Sequence, residues 1–567
     1  MTRISHAFSL GLVFLSLAAC GAAPAPPPSP AVNTMAPRER LSRIAERYWD
    51  EQASPANPLS PQYLADALAA GRRHLADLLA IPRAGLDPDS RLTYDILKRR
   101  LELDIEGFTY PAELLPVNPF DAMPLRLARI AADMAQPPLP AAKDYENWLL
   151  QIDDYAGWTE QAIANMREGM RRGYTSPRPL MARMLPLLQI LGEDAAANVF
   201  YLPLQDGARA RFAPRLNSAV KDKLLPAIRK LHDFIQSEYL PRTRLSVALT
   251  SLPLGPSWYA YQVKRATGTQ LSPNEIHAIG LSEVERIRAR LAALPATTAG
   301  GGPPGVSAAT APRAGSAEPL NGYLLLKDQT LAALPTLFSA VPPADFEFRE
   351  SAPFGAAAAL VYQPAMPDRG KPALLYVSAG PDGARPRVVD IAGFLEAALP
   401  GRHYQSALQQ GRSDVPKFRR FGTEPAFVDG WGLYAATLGE ELGLVRDDES
   451  RRDALSGELN CAAALVVDTG LHAKGWTREH AVDYLRAQLG ANAADAALMV
   501  DRSAALPGNA LAGKVGELKI RALRARAQTV LGTRFDIHEF HSQILKEGAM
   551  PLDILEARMK VWMEARP

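Results

Sequence analysis

The sequence predicts a mainly α fold carrying one short β-sheet or hairpin. Apolar residues recur at three- and four-residue spacing over most of the chain, as in Lys223 to Ile235 (KLLPAIRKLHDFI), which is the period of a helix with one buried face. Strand-like alternation is confined to Phe346–Arg349 and Ala373–Val377 (ALLYV). Prolines punctuate these patterns at intervals instead of pervading them, and the 47% apolar content is ample for a large core.

From the amino end, Arg3 precedes an apolar run from Phe8 to Leu17 and then the small residues Ala18 and Ala19, the layout of a secretory signal over residues 1–19. That run is too short for a membrane-spanning helix, which needs roughly 20 apolar residues. Leu17-Ala18-Ala19-Cys20 matches the lipobox of bacterial lipoproteins and makes Cys20 the expected site of acylation; an ordinary signal followed by a chance cysteine is the alternative. Residues 20–37 are rich in proline and alanine, cannot pack a core, and read as an extended tether. Gly21 is not the aspartate associated with inner-membrane retention, so the expected location is periplasm-facing and at the outer membrane.

Residues 38–294 read as a helical amino-terminal part. Residues 295–319 (from ATTAGGGPPG onward) hold almost no large side chain and read as a flexible loop. Residues 320–567 form the carboxy-terminal part, with helices expected at Ile391–Gln409, Pro425–Leu444, Ser456–Ala473, Thr477–Leu489, Gly508–Leu531 and Asp536–Glu547. Thr477 is the expected cap of the helix it opens.

Charge is nearly balanced, 63 Lys plus Arg against 61 Asp plus Glu, so no global field favours nucleic acid as a partner. Cys461 is the one other cysteine, which leaves no intrachain disulfide once Cys20 is acylated. There is no Gly-x-Ser-x-Gly elbow, P-loop or Cys-x-x-Cys. Ser218-Ala-Val-Lys221 has the spacing of a serine–lysine pair, which helices produce often by chance, and reads as surface.

Two segments carry more information: Glu396-Ala-Ala-Leu-Pro-Gly-Arg-His-Tyr-Gln405 and Ala426-Phe-Val-Asp-Gly-Trp-Gly-Leu-Tyr-Ala435. They resemble the bacterial family called domain of unknown function 885, whose hallmarks are His-Glu-x-x-Pro-Gly-His-His-x-Gln and Val-Glu-Gly-Trp-Ala-Leu-Tyr-Ala. Leu465 to Glu479, Pro507-Gly-Asn-Ala-Leu, Lys514 to Ile520, Phe540-His541, Trp258-Tyr-Ala-Tyr261 and Ser272 to Gly280 extend the likeness over most of the chain. The resemblance implies a zincin-like helical fold with amino- and carboxy-terminal lobes around a cleft. It also implies a zinc site in which histidines and a glutamate hold the metal and a second glutamate activates water.

Aligned on Pro400-Gly401, the motif is degenerate. The family's first histidine falls on Glu396, the glutamate beside it on Ala397, the paired histidines on Arg402 and His403, and the later glutamate on Asp429. The family's Arg-Tyr reads Arg502-Ser503, its glutamine reads Asn509, and the tyrosine ahead of Lys514 reads Gly513. A one-residue gap would set Leu395-Glu396 opposite His-Glu, which restores the base and still leaves leucine as the first ligand. These replacements imply lost hydrolysis.

Glu396, His403 and Asp429 are the candidate vestigial metal ligands, since positions seven apart lie about 20° from one helix face. The favoured reading has them as a polar cluster, with Arg402 neutralising the carboxylates and Pro400 breaking the helix. Candidates to line the cleft are Arg402, Gln405, Trp431, Tyr434, Asp468, His472, Arg502, Asn509 and Lys514, although Trp431 and Tyr434 read more readily as core and His472 as a hydrogen-bonded or capping residue. His538-Glu-Phe-His541 reads as helix surface. No cofactor is expected, with zinc or another divalent metal as the alternative; expected partners are a membrane through the lipid and a peptide, a cell-wall fragment or a partner protein. An active metal-dependent hydrolase with an altered ligand set is the competing reading of function, and a purely structural tethered protein is a third.

Overall fold

The computed structural model describes residues 35–51, 57–134, 142–204, 211–295, 318–350, 360–367, 370–377 and 389–565. Cys20, the signal, most of the tether and residues 296–317 of the Gly/Pro/Ala loop lie outside them. The architecture is mainly α with one small sheet, as the periodicity predicts.

The amino-terminal helices open where their caps stand. Ser60 accepts from the Tyr63 amide at the head of Pro61–Leu79, Asp87 accepts from Ser90 ahead of Pro88–Gly107, and Ser272 forms a capping box with Glu275 ahead of Pro273–Ala293. The predicted helix at 223–235 spans Leu225–Phe234 and is flanked by two π-helical stretches, Ala219–Leu224 and Ile235–Tyr239. Each ends just before Pro226 or Pro241, residues without an amide hydrogen for an ordinary helical turn.

The sheet holds both predicted strands and one more. Strand β1 (Phe346–Glu350) runs parallel to β3 (Ala373–Val377), and β2 (Leu360–Gln363) pairs antiparallel on the other side of β3. Along β3 the alternating residues Ala373, Leu375 and Val377 are buried.

In the carboxy-terminal part the predicted helix 391–409 is two helices, Ile391–Ala397 and Arg402–Gln410, separated by a turn at Pro400-Gly401. Gly401 is required there, because a Cβ would lie 2.0 Å from the carbonyl oxygen of Glu396. Pro425–Ala436 ends earlier than expected, and Asp448–Ala473 begins earlier, where Asp447 caps it. Thr477 caps Arg478–Leu489 as expected, accepting from the His480 amide. The expected Gly508–Leu531 helix spans Leu511–Leu531; Ala493–Ala505 and Leu552–Glu564 are additional.

Among the described residues two hydrophobic cores result, and each draws on both halves of the chain. One joins the helices between residues 37 and 107 to the sheet and to helices from 391 to 436 and 511 to 564. The other joins the helices between 123 and 235 to those between 448 and 505. Pro273–Ala293 and Asp448–Ala473 contribute to both and pack on one another through Gly280, where a Cβ would come 2.5 Å from Leu465 Cδ2. Pro425–Ala436 crosses Leu511–Leu531 at an equally close contact: a Cβ on Gly430 would lie 2.4 Å from the Cα of Gly516.

Candidate functional site

The degenerate motif sits where three helix ends meet. Asp390 caps Ile391–Ala397 by accepting from the Gly393 amide; Glu396 closes that helix, Arg402 opens the next, and Asp429 comes from the second turn of Pro425–Ala436. Arg402 Nη2 donates to Glu396 Oε1 at 2.8 Å and Nε donates to Asp429 Oδ1 at 3.1 Å. Each carboxylate therefore takes a different nitrogen of one guanidinium. Gly432 makes room for the pair, since a Cβ would lie 3.2 Å from both Arg402 Cγ and Glu396 Cγ. The side chains of Arg402, Glu396 and Asp429 keep 28%, 27% and 41% of their exposure. Burial pushes Glu396 above the usual carboxylate range, Arg402 pulls it back, and Asp429 and Asp390 push it up again. Ala397, at the presumed base position, is a methyl group in the core.

His403 belongs to a different environment. One position further round its helix, it is buried and points at the sheet: Nε2 donates to the Ala344 carbonyl at 3.0 Å and Nδ1 accepts from the Tyr362 hydroxyl at 3.3 Å. Burial brings its pKa down to about 4, so the ring is neutral. It borders a shallow pocket of about 180 Å³ with Leu331, Val341, Pro342, Pro343, Ala344, Asp345 and Leu399. Of the three candidate metal ligands the fold brings Glu396 and Asp429 together and sends His403 elsewhere.

A zinc ion of the kind the motif implies does not fit these residues. Zinc asks for neutral nitrogens and carboxylates converging on one point with a position left for water. Here both carboxylates bind a guanidinium, and the one imidazole near them uses both nitrogens in other bonds.

A second ionic cluster lies close by. Lys514, fully buried, sits among Glu283, Glu458 and Glu517 at 2.9, 2.8 and 2.6 Å. Arg286 pairs with Glu283 and Glu458, and Arg521 with Glu517 and Glu458, so three cations face three carboxylates. These three glutamates are the group of metal-ligating side chains that lie close enough to share an ion among the described residues, and an ammonium stands in their midst. Cys461 couples to both clusters: burial, with Glu396 and Glu517, pushes its thiol up to about 12, while Lys514 and Arg402 pull the other way. The glutamates around Lys514 were not apparent from sequence; Glu517, one helical turn along, was the sole local sign.

The remaining cleft candidates divide. Gln405, Trp431, Tyr434, Asp468, His472 and Lys514 are interior residues; this matches the core reading of Trp431 and Tyr434 and the hydrogen-bonded reading of His472, whereas Gln405, Asp468 and Lys514 were expected at a cleft wall. Gln405 donates to Gln409, and Trp431 Nε1 donates to the Pro400 carbonyl at 2.8 Å. Tyr434 donates to His541 Nε2 at 2.8 Å while accepting from Arg524. Asp468 accepts from the Tyr259 hydroxyl at 2.7 Å and the Gly508 amide at 3.0 Å; burial lifts its carboxyl to about 7 against the pull of these bonds. His472 accepts from the Leu249 amide and donates to the Ser503 carbonyl, and burial brings it to about 4. Arg502 and Asn509 are exposed, Arg502 lying over the Phe120 ring. His538 is bound to Asp536 and the Pro335 carbonyl, whereas His541 is buried with its Nδ1 on the Leu337 carbonyl, so the latter corrects the surface reading of this pair.

A family model described as a bacterial protein of unknown function, domain of unknown function 885, matches residues 48–559. The chain belongs to this family. Among solved structures, a candidate lipoprotein from Colwellia psychrerythraea is similar at 22% identity and a TM-score of 0.77, with 93% of this chain and 99% of that one covered. A second, described as a candidate lipoprotein of unknown function from Shewanella oneidensis, is similar at 16% identity and a TM-score of 0.62, with 93% and 100% covered. At these identities the likeness establishes a shared fold for this member of the 885 family. No curated protein matches it. Among its described residues no helix is long and apolar enough to cross a membrane.

Proposed function

We propose that this member of the family is an exported lipoprotein, acylated on Cys20 and held at the outer membrane facing the periplasm, whose zincin-like scaffold binds without hydrolysing. The ligand class is a peptide, a cell-wall fragment or a partner protein. The export and anchoring rest on the lipobox Leu17-Ala18-Ala19-Cys20 with its tether, and two proteins of similar fold are described as candidate lipoproteins.

The observation that carries the non-hydrolytic reading is Arg402 bound to both Glu396 and Asp429. Hydrolysis of this kind needs an electrophilic centre with an open position for water and a carboxylate free to take a proton. Glu396 and Asp429 each use an oxygen on the guanidinium, and the adjacent motif position is Ala397.

Incubating the purified protein with a mixed peptide library and zinc, manganese or cobalt in turn tests this, and no cleavage is expected. Cleavage that chelator abolishes and that Glu396→Gln also abolishes would establish the competing reading, an active metal-dependent hydrolase. Titration with peptides and muropeptides followed by melting temperature separates binding from a purely structural role. Radiolabelled palmitate incorporation, lost in Cys20→Ala, tests the anchor.

A further inference from the structure

We propose that the Arg402 guanidinium is a built-in cation standing where Glu396 and Asp429 would otherwise hold an exchangeable divalent ion, and that the two carboxylates bind such an ion once Arg402 is removed. This rests on the non-hydrolytic reading above.

Three features lead to it. First, positions 396, 402 and 429 converge from three helices on one point, while position 403 is turned to Tyr362 and Ala344. Of the motif's paired positions, 402 is therefore the one that addresses the carboxylates. Second, the guanidinium does not form a fork with either partner. Nη2 goes to Glu396 and Nε to Asp429, so the group separates two carboxylates and supplies the positive charge between them. Third, the same solution appears a short way off, where the Lys514 ammonium is surrounded by Glu283, Glu458 and Glu517. At both places carboxylates from separate elements gather round a positive charge that belongs to the chain.

Loss of that charge would leave the two acids repelling one another. Glu396 already feels Asp429 and Asp390 as like charges, and Arg402 is the cation that opposes them. Deleting the guanidinium leaves a partly exposed pair of carboxylates, with Asp390 a further like charge on Glu396, and frees the space that the Arg402 stem takes beside Gly432. With oxygen donors only, the pair suits a hard cation such as Mn²⁺ or Ca²⁺ more than zinc.

The test uses the mature chain with Arg402→Ala and Arg402→Met, the second retaining the bulk of the stem. Calorimetric titration with MnCl₂, CaCl₂ and ZnCl₂ in chelator-cleaned buffer, alongside melting temperature, should show one Mn²⁺ or Ca²⁺ bound at least ten-fold more tightly by both variants than by the unaltered protein. Adding Glu396→Gln and Asp429→Asn should cancel the gain. Folded variants that bind no better than the parent, or an unaltered protein that binds one ion through Glu396 and Asp429, would overturn the proposal. If either variant is recovered unfolded, refolding with and without MnCl₂ is the readout: native circular dichroism restored by the ion supports the proposal, and its absence in both variants overturns it. Peptide cleavage by the unaltered protein would strike at the non-hydrolytic reading, and the binding comparison between parent and variants is scored separately.

Discussion

Replacing Lys514 by Met should be among the most destabilising single changes in the protein. The ammonium is fully buried and contacts three carboxylates, of which Glu517 is itself fully buried. With Lys514 present the cluster is neutral, three cations against three anions; without it a net negative charge is left inside the protein. Removing one partner of a buried ionic group costs about 3–5 kcal/mol, because the survivors have lost water without keeping their counter-ion. In melting temperature that is roughly 3–4 °C for a chain of this length. The double variant Lys514→Met/Glu517→Gln restores neutrality, with Arg286 and Arg521 still serving Glu283 and Glu458, and should recover most of the loss. Calorimetric melting and urea denaturation of parent, both single variants and the double variant complete the cycle. A Lys514→Met protein within about 1 kcal/mol of the parent, or a double variant no better than the single, would refute the charge argument.

Acid should also act through buried imidazoles. His403, His472 and His541 are each held at about 4 by burial, below the ~6.5 of an unfolded histidine. Their stabilising contribution is therefore full above pH ~6.5 and is lost as pH falls towards 4, because only the unfolded chain takes up the protons. Asp468, lifted to about 7, works in the opposite sense between ~4 and 7, where the folded chain keeps a proton that the unfolded one releases. Comparing proton uptake on unfolding at pH 5, His472→Gln should take up about one proton fewer than the parent; equal uptake would contradict this. Gly430→Ala should destabilise by about 1–3 kcal/mol in denaturant titrations, because its Cβ meets backbone. Trp431→Phe should cost about 1–3 kcal/mol by leaving the Pro400 carbonyl without its indole donor, and an unchanged midpoint in either variant would count against the packing described.

What could be read from the chain was mostly local. The strands at 346 and 373 announced themselves by aromatic and branched residues and the cap at Thr477 by its hydroxyl, whereas the single helix expected over Ile391–Gln409 is two, divided at Pro400-Gly401. Ala493–Ala505 was missed because an alanine-rich stretch has little contrast between its faces. Arg402 was visible as a residue able to neutralise carboxylates, yet its bond to Asp429 spans 27 positions and depends on how two helices cross. The rotation that sends His403 to the sheet and Arg402 to the acids is one step on a helix, a difference that the motif alone does not encode. Trp431 and Tyr434 read more readily as core than as cleft wall, since an aromatic stripe at helical spacing more often faces inward, and both are buried. The resemblance identified the family and where its motif lies, and the departures from that motif proved to mark the ionic cluster.

The core that joins the first helices to the last has a bearing on how this protein can be made. Arg99 pairs with Asp553 across 454 positions, and Lys417 reaches Glu46 and Asp50. In a chain synthesised from its amino end, the helices between 37 and 107 can pack on one another and on Gly255–Thr267, while the surface they share with residues 391–436 and 511–564 is covered only once those have been made. Part of the early apolar surface therefore stays uncovered until the carboxy-terminal helices arrive, and contacts of such long sequence separation belong to the slower kind of folding step. Cutting the chain at 295–319 would yield two incomplete cores in place of two stable halves.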